Sequence, residues 1–259
     1  MNTSLLKRFF APVEPVLPDE KVVDLKNATL FLEKISDILP QNSHIIDDYQ
    51  RTFTFISKRS IFLCGYTEEE VKAMGYSFYS KILTPDNLKK LIEINGAVSD
   101  FFDDIHIEKK PDASIFYDLV LQRKDGSSFC INHKLKPFLF TKENNIWVSI
   151  CCIRPSIDNK VGNVKCFFKK TNEVFSYSFK DKKWHEQPPL VLSEIEKLIV
   201  IETDKGVLEK QLAYQLGCTR GNIRYYKNMV LKKTGTKTMR EAILFLNWYY
   251  PEYCVEVDK

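Results

Sequence analysis

The stretch LEKQLAYQLGCTRGNIRYYKNMV, residues 208–230, gives the strongest indication of fold in this chain. Its first half places apolar residues at helical spacing as far as Leu216, and Gly217 then permits the left-handed turn that commonly ends a helix. Thr219 follows with a hydroxyl that can cap a second helix. We therefore predict a helix, a tight turn and a second helix. The inward face of the second helix is predicted to hold Ile223, Tyr226 and Val230.

A run of basic residues overlaps the second helix. Residues 219–240 contain seven Lys or Arg and no Asp or Glu, although the whole chain balances 38 basic against 34 acidic side chains. A net charge of +4 is too small to indicate a polyanionic partner by itself. Two interpretations therefore stay open: a solvated helix face, or a surface that lies against a polyanion.

A further helix is predicted upstream, because Ser193 and Glu196 have the spacing of a capping box. With it, residues 192–242 resemble the LuxR/NarL-type DNA-binding domain, a four-helix helix-turn-helix, without a gap. Two departures are Glu194 in place of a usual proline and Leu208 in place of a small hydroxyl residue, so the second helix is expected to begin differently. The matching residues are Leu192, Ser193, Glu196, Gly206, Leu212, Ala213, Leu216, Gly217, Thr219, Ile223, Lys232, Lys233, Gly235, Glu241 and Ala242.

This resemblance implies that the helix beginning after Thr219 enters the major groove of double-stranded DNA. Base-edge contacts are then expected from Arg224, Tyr225 and Asn228, since arginine can bind guanine and asparagine can bind adenine in a bidentate way. The remaining polar residues would contact phosphates, which set affinity and register. These phosphate candidates are Thr219, Arg220, Asn222, Lys227, Lys232, Lys233 and Lys237.

The N-terminal part alternates strand and helix signals. Residues 44–57 read as two short strands around a polar turn, Thr67 with Glu70 forms a second capping box, and Thr84 before Pro85 marks another helix start. After residue 113 the apolar period changes to two, and Asp125-Gly126 predicts a hairpin turn.

The segments LCGYTEEEV (63–71), ILTPDNL (82–88) and RKDGS (123–127) resemble those of a PAS domain in their order and spacing. The resemblance implies a five-stranded antiparallel sheet with helices on one face, which binds a small ligand or a partner protein. The fold class is therefore predicted to be α+β, with an all-α four-helix C-terminal domain. We predict an N-terminal arm and helix (1–40), the PAS-like sensory or dimerisation domain (41–155), an extra hairpin and linker (156–189), the LuxR-type domain (190–248) and a tail (249–259).

The remaining features exclude several classes of protein. Seven cysteines without C-x-x-C spacing indicate reduced thiols and a cytoplasmic location. Neither a signal peptide nor a membrane span is predicted. His106 and His133 are interpreted as surface or hydrogen-bonded residues and Cys64 as a buried small hydrophobe, so no metal site is predicted. Without a nucleophile paired with a base or a phosphate-binding loop, the chain is not expected to be an enzyme.

The sequence thus favours a bacterial-type, homodimeric transcription regulator that binds double-stranded DNA. Its signal would be an unidentified small ligand or a protein, and no cofactor is assigned. One alternative is a signalling adaptor whose PAS-like domain binds a protein and whose basic helix docks on an acidic surface. Another is a sigma-factor-like module, although no promoter-melting region is apparent upstream.

Overall fold

The structure is a computed structural model that describes residues 7, 9–13, 19–35, 42–157 and 161–254. The chain divides into two compact units, Met1–Pro188 and Pro189–Lys259. We call them the first and the second unit and describe each by itself.

The described strands of the first unit form one antiparallel sheet of eight strands in the order β2-β1-β5-β4-β3-β6-β7-β8. The prediction of five strands is wrong, because β6 pairs with the outer edge of β3 and two further strands follow. The segment predicted as a linker contains β8. The strands are β1 Ser43–Asp47, β2 Thr52–Ile56, β3 Ala113–Gln122, β4 Ser128–Phe140, β5 Ile146–Pro155, β6 Gly162–Phe168, β7 Glu173–Ser178 and β8 Lys183–Gln187.

The helices of the first unit begin where the sequence predicts them. The Thr67 hydroxyl accepts the Glu70 N–H at 3.2 Å while the Glu70 carboxylate accepts the Thr67 N–H at 2.8 Å, which confirms the capping box. Thr84 caps the longest of the helices between β2 and β3 and is followed by proline at its first position. The α-helices are α1 Asp19–Ile35, α2 Glu68–Met74, α3 Tyr79–Ile82 and α4 Pro85–Asp103, with 3₁₀ turns at Ile61–Leu63, Gly75–Phe78 and Ile107–Asp112.

Helices cover both faces of the sheet, whereas the sequence predicted helices on one face. The main core packs the segments between β2 and β3 against the face that carries Ile46, Cys151 and Ile153. Helix α1 places Leu25 and Leu32 against a second cluster on the opposite face. That cluster contains Ile45, Phe55, Leu139, Trp147 and Val148. Both faces of this sheet are therefore buried in its central part.

Part of the predicted N-terminal arm, and the predicted helix end at Pro40, lie outside the described residues. Where the arm is described, Lys7 and Phe9 are helical, and the Ala11 N–H donates to the Lys7 carbonyl at 2.9 Å. Phe9 is buried, with its ring 5.3 Å from that of Tyr76. This turn therefore belongs to the main core.

Within residues 189–254 the second unit folds into four α-helices, as the sequence predicted. Ser193 and Glu196 form the predicted capping box, and Gly235 ends the third of these helices with φ +70°. After the last helix, the Tyr253 hydroxyl donates to the Leu190 carbonyl at 2.8 Å and so ties the described part of the tail to the start of the unit. The helices are α5 Glu194–Asp204, α6 Glu209–Gln215, α7 Arg220–Thr234 and α8 Met239–Tyr249.

None of the helices in the described part of the chain combines the length and the apolar character that a membrane crossing requires.

Candidate nucleic-acid interface and ligand cavity

Helices α6 and α7 form a helix-turn-helix around a small apolar cluster. The connecting turn uses Gly217 at φ +59°, a conformation that glycine adopts at little cost. Thr219 then caps α7 by accepting the Asn222 N–H at 3.2 Å. Leu208 cannot cap α6 through its side chain, and Gln211 instead accepts the Leu208 N–H at 3.0 Å. The fully buried members of the cluster are Ile199, Leu212, Ala213 and Ile223.

The two faces of α7 separate as the sequence predicted. Ile223 and Val230 are fully buried, while Tyr226 is half-buried against the α6 and α7 cluster. The opposite face exposes the three base-contact candidates Arg224, Tyr225 and Asn228, with Tyr225 60% exposed. This face therefore carries exposed hydrogen-bond donors and acceptors.

One acidic residue outside the basic run forms ion pairs with two basic residues of α7. Glu209, at the start of α6, accepts the Arg224 Nε–H at 3.1 Å and the Lys227 ammonium at 3.4 Å. Burial alone would raise the pKa of Glu209, but the two cations lower it overall, so the carboxylate stays ionised. Arg224 is thus held at the rim of the face, and contact with DNA requires it to share or leave this ion pair.

Lys233 takes part in an ion pair within the second unit. Its ammonium donates to the Glu196 carboxylate at 2.6 Å, and the Glu196 side chain is only 4% exposed. Glu196 also accepts the Ser193 N–H at 2.6 Å. Burial would raise the pKa of Glu196, yet these hydrogen bonds lower it overall. Lys233 therefore joins α7 to α5, and a phosphate contact by this residue stays a prediction.

Of the other phosphate candidates, Lys227 is half-buried and pairs with Glu209 as described above, and the remaining five fall into two groups. Arg220, Lys232 and Lys237 are exposed, as a phosphate contact requires. Thr219 and Asn222 contact each other at the α7 N-terminus, so their polar groups help to form the cap. The N-terminus of a helix attracts anions, because its first N–H groups have no partner within the helix.

Replacing Lys233 with alanine is expected to lower the free energy of unfolding of the second unit by about 1–3 kcal/mol, because it leaves the buried Glu196 carboxylate without its cation. The change is measured by hydrogen exchange of α5 and α7 peptides in the full chain over a series of denaturant concentrations. Lys232→Ala, at the neighbouring exposed position, should shift stability by less than about 0.5 kcal/mol. Equal effects of the two substitutions would contradict the structural role.

The first unit contains a cavity of about 470 Å³ between α4 and the sheet. Its size lies in the range of small-molecule sites. Lys110, which is 6% exposed, lines it and donates to the Asn144 carbonyl at 3.1 Å. Other residues that line the cavity are Phe9, Asp48, Arg51, Asn95, Phe102, Leu135, Asn145 and Ser149.

Among the acidic residues that line this cavity, Asp48 has the largest shift in pKa. It accepts the Tyr76 hydroxyl at 2.7 Å and the Ser149 hydroxyl at 3.1 Å. Burial raises the pKa of Asp48 to about 6, and the hydrogen bonds from Tyr76 and Ser149 and the nearby Arg51 offset only part of this shift. The cavity wall therefore changes charge near pH 6.

Asp48→Asn is expected to remove a fall in stability that the wild type shows as pH rises from about 4 to 6. The folded state holds the Asp48 proton with a pKa of about 6, compared with 3.8 as the ordinary value, so it binds the proton more tightly than the unfolded chain. Rising pH removes that advantage, by on the order of 1–3 kcal/mol. Urea denaturation across this range measures it.

The matched control is Asp86→Asn, because the Asp86 side chain is 87% exposed. This control should keep the wild-type pH profile. A profile that Asp48→Asn leaves unchanged would show that Asp48 titrates normally.

A wider cleft, of about 920 Å³, lies between α4 and the added strands β7 and β8. Phe101 stacks on Trp184 in this cleft with ring centroids 4.5 Å apart, and the Trp184 indole donates to the Ala97 carbonyl at 3.0 Å. This cleft was not predicted from the sequence, because Trp184 belongs to the segment predicted as a linker.

Sequence reasoning also missed a buried histidine pair. His44 Nε2 lies 3.2 Å from His133 Nε2, and neither residue is more than 2% exposed. The sequence predicted that His133 is a surface or a hydrogen-bonded residue, and the second of these is confirmed. Burial lowers the pKa of His133 to about 3 and, together with the charge of His133, lowers that of His44 well below its usual range. Strand alternation places both inward, which is the signal that could have found them.

No protein-family model and no curated protein matches the chain. Solved structures that it resembles include a Vibrio cholerae VqmA dimer without its target DNA, studied as a LuxR-type receptor, which is 14% identical over 89% of this chain and 91% of that chain, with a TM-score of 0.33. A PAS domain of a protein from Colwellia psychrerythraea is 17% identical over 52% of this chain and 98% of that chain, with a TM-score of 0.36. A light-oxygen-voltage domain is 20% identical over 50% of this chain and 87% of that chain, with a TM-score of 0.35. At such scores these likenesses establish neither fold nor function for this chain.

Proposed function

We propose that this chain is a sequence-specific DNA-binding transcriptional regulator whose helix α7 enters the major groove. The proposal rests chiefly on one observation: α7 follows a tight turn after α6 and exposes Arg224, Tyr225 and Asn228 on the face opposite its buried stripe. The surrounding run of residues 219–240 is basic and without acids, as binding to phosphates requires. Together these features fit a LuxR-type helix-turn-helix.

Selection of duplexes from a random pool, followed by a salt titration on the preferred sequence, tests this proposal. We expect one enriched motif. The logarithm of the binding constant should fall linearly with the logarithm of salt concentration, with a slope of about −0.9 for each phosphate neutralised. A pool that shows no enrichment, or an affinity that salt does not change, would contradict specific DNA binding.

The second candidate is a signalling adaptor whose basic helix docks on an acidic protein surface. The cleft beside the half-buried Phe101 and Trp184 favours it, because aromatic side chains are common at protein interfaces. Such a complex would also weaken with salt. It would give no base preference, so the duplex selection separates the two functions.

For the first unit we propose a PAS-like sensory role in which the cavity between α4 and the sheet binds a small polar molecule. Lys110, Asn144 and Asn145 supply polar groups there, and Asp48 supplies a carboxyl group that titrates near pH 6. A signal can act only by binding two states of the protein with different affinity. Mass spectrometry of the denatured protein is expected to detect a released small molecule.

The cavity-filling variant Ser149→Leu should reduce the amount of that molecule. If variant and wild type release equal amounts, the cavity is not its site. We further propose that the regulator acts in the cytoplasm as a homodimer, which would recognise half-sites about 10 base pairs apart.

A further inference from the structure

Three side chains that the proposed function does not use converge inside the first unit. They are His44 of β1, His133 of β4 and Cys151 of β5, and each is at most 2% exposed. One nitrogen of each histidine and the cysteine sulfur lie within 4.8 Å of one another. Imidazole nitrogen and thiolate sulfur are the ligands that zinc and copper ions prefer in proteins.

The register of the sheet explains why they meet. His44 lies directly opposite Cys151 in the β1 and β5 pair. His133 lies opposite Ile153, two residues further along β5, so it projects from the same face of the sheet. Three neighbouring strands therefore fix the cluster through their backbone hydrogen bonds, and no loop is needed to assemble it.

The distance between the histidines fits a shared ion. Two nitrogens that each bind a tetrahedral metal ion at about 2.0–2.1 Å are about 3.3 Å apart. The two Nε2 atoms are 3.2 Å apart. The sulfur lies within 4.8 Å of them, so a small change in side-chain torsions would bring it to the third corner.

The rings around the cluster restrict the two imidazoles. Phe62 stacks on His44 with centroids 4.2 Å apart and an interplanar angle of 8°. The Tyr117 ring lies 4.7 Å from that of His133. Aromatic packing of this kind holds ligands in one orientation before an ion arrives.

A simple hydrogen bond between the two Nε2 atoms is the alternative. It uses a single proton, does not involve the sulfur, and leaves the Nδ1 atoms of both rings buried without a hydrogen-bond partner. Coordination through both Nε2 atoms would leave the same Nδ1 atoms without a partner, so they do not distinguish the two arrangements. The Cys151 sulfur does, because it lies within 4.8 Å of a nitrogen of each ring and has no part in a hydrogen bond between the histidines.

We propose that His44, His133 and Cys151 bind one thiophilic transition-metal ion, Cu(I) or Zn(II). Binding converts the Cys151 thiol to a thiolate and releases one proton to solvent for each ion bound. Two neutral imidazoles and one thiolate carry a single negative charge, so Cu(I) would give a neutral buried complex and Zn(II) a complex of charge +1. Three protein ligands leave a coordination position open.

The cavity between α4 and the sheet lies beside the strand that carries Cys151. Leu135 and Ser149 line the cavity. Leu135 lies opposite Cys151, and Ser149 precedes Cys151 by two residues on the same strand face. Two residues of the cavity wall are therefore direct neighbours of Cys151 in the sheet.

The test uses the full chain, freed of metal with a chelator under reducing conditions, and adds Zn(II), stabilised Cu(I) or Co(II) in separate titrations. We expect one ion per chain, a higher melting temperature, and for Co(II) a thiolate-to-metal charge-transfer band. Stoichiometric binding of zinc alone or of copper alone supports the proposal and identifies the ion. No retained ion, or Co(II) binding without that band, would overturn it.

The adjacent Cys152 provides a matched control, since it projects to the opposite face, where its sulfur lies 3.5 Å from the Ser43 hydroxyl. Cys151→Ser and His133→Gln should each lose stoichiometric binding and the charge-transfer band, whereas Cys152→Ser should keep both. Circular dichroism of the metal-free variants checks that they fold. If Cys151→Ser does not fold, His133→Gln and the band in Cys152→Ser decide the question. Binding that Cys152→Ser abolishes, or that His133→Gln retains, would show that the cluster is not the site.

Discussion

Arg224→Ala is expected to weaken binding to the preferred duplex by about 1–3 kcal/mol, or roughly 5- to 150-fold, and to relax the base preference at one position. The substitution removes a guanidinium from the exposed face of α7. It also leaves Glu209 with only one of its two cationic partners. The less compensated negative charge of Glu209 would then lie close to the phosphates. The loss should therefore lie near the upper end of this range. Fluorescence anisotropy with a panel of single-base variants measures it.

Two controls separate charge from base contact. Arg59→Ala removes an exposed arginine of the first unit and should leave DNA affinity unchanged. Glu209→Gln releases Arg224 without removing it, so it should keep the base preference while affinity stays equal or rises. A uniform loss across all base variants for Arg224→Ala would mean that this residue contacts only the backbone.

Ile223→Ala is expected to lower the free energy of unfolding of the second unit by about 2–5 kcal/mol. Ile223 is fully buried and lies between α6 and α7 in the cluster with Ile199 and Leu212. Its removal leaves a cavity at the point where α7 packs against α6. Hydrogen exchange of α7 peptides in the full chain, measured against urea concentration, reports the change. Specific DNA binding should fall with it.

Leu244→Ala is the matched control, because Leu244 is 48% exposed on α8. Its effect should stay within about 0.5 kcal/mol. If the two substitutions destabilise α7 equally, the cluster around Ile223 does not hold the helix in place.

Local signals in the sequence predicted much of this fold. The capping pairs Thr67 with Glu70 and Ser193 with Glu196 are confirmed, because each depends on residues only three apart. The same holds for the turn at Gly217 and the inward stripe of α7. These features depend on residues that are close together in the sequence, so one sequence is enough to predict them.

The rest depends on contacts between distant residues. Strand β8 has only five residues, of mixed polarity, and it becomes a strand because β7 is beside it. Lys233 resembles any other lysine of the basic run until α5 places Glu196 against it, 37 positions away. His44 and Cys151 meet only through the β1 and β5 register. Composition and periodicity contain no information about such pairs.

The pairing of β6 with β3 has a practical consequence for work with fragments. A piece cut after Pro155, as the sequence alone would suggest, would leave the ten-residue strand β3 as an open edge, with Ile115 and Phe116 beside unsatisfied backbone groups. Exposed edges of this kind recruit other chains. A fragment that extends to Pro188 ends instead in the short, polar strand β8, so it is the piece expected to stay soluble and monodisperse.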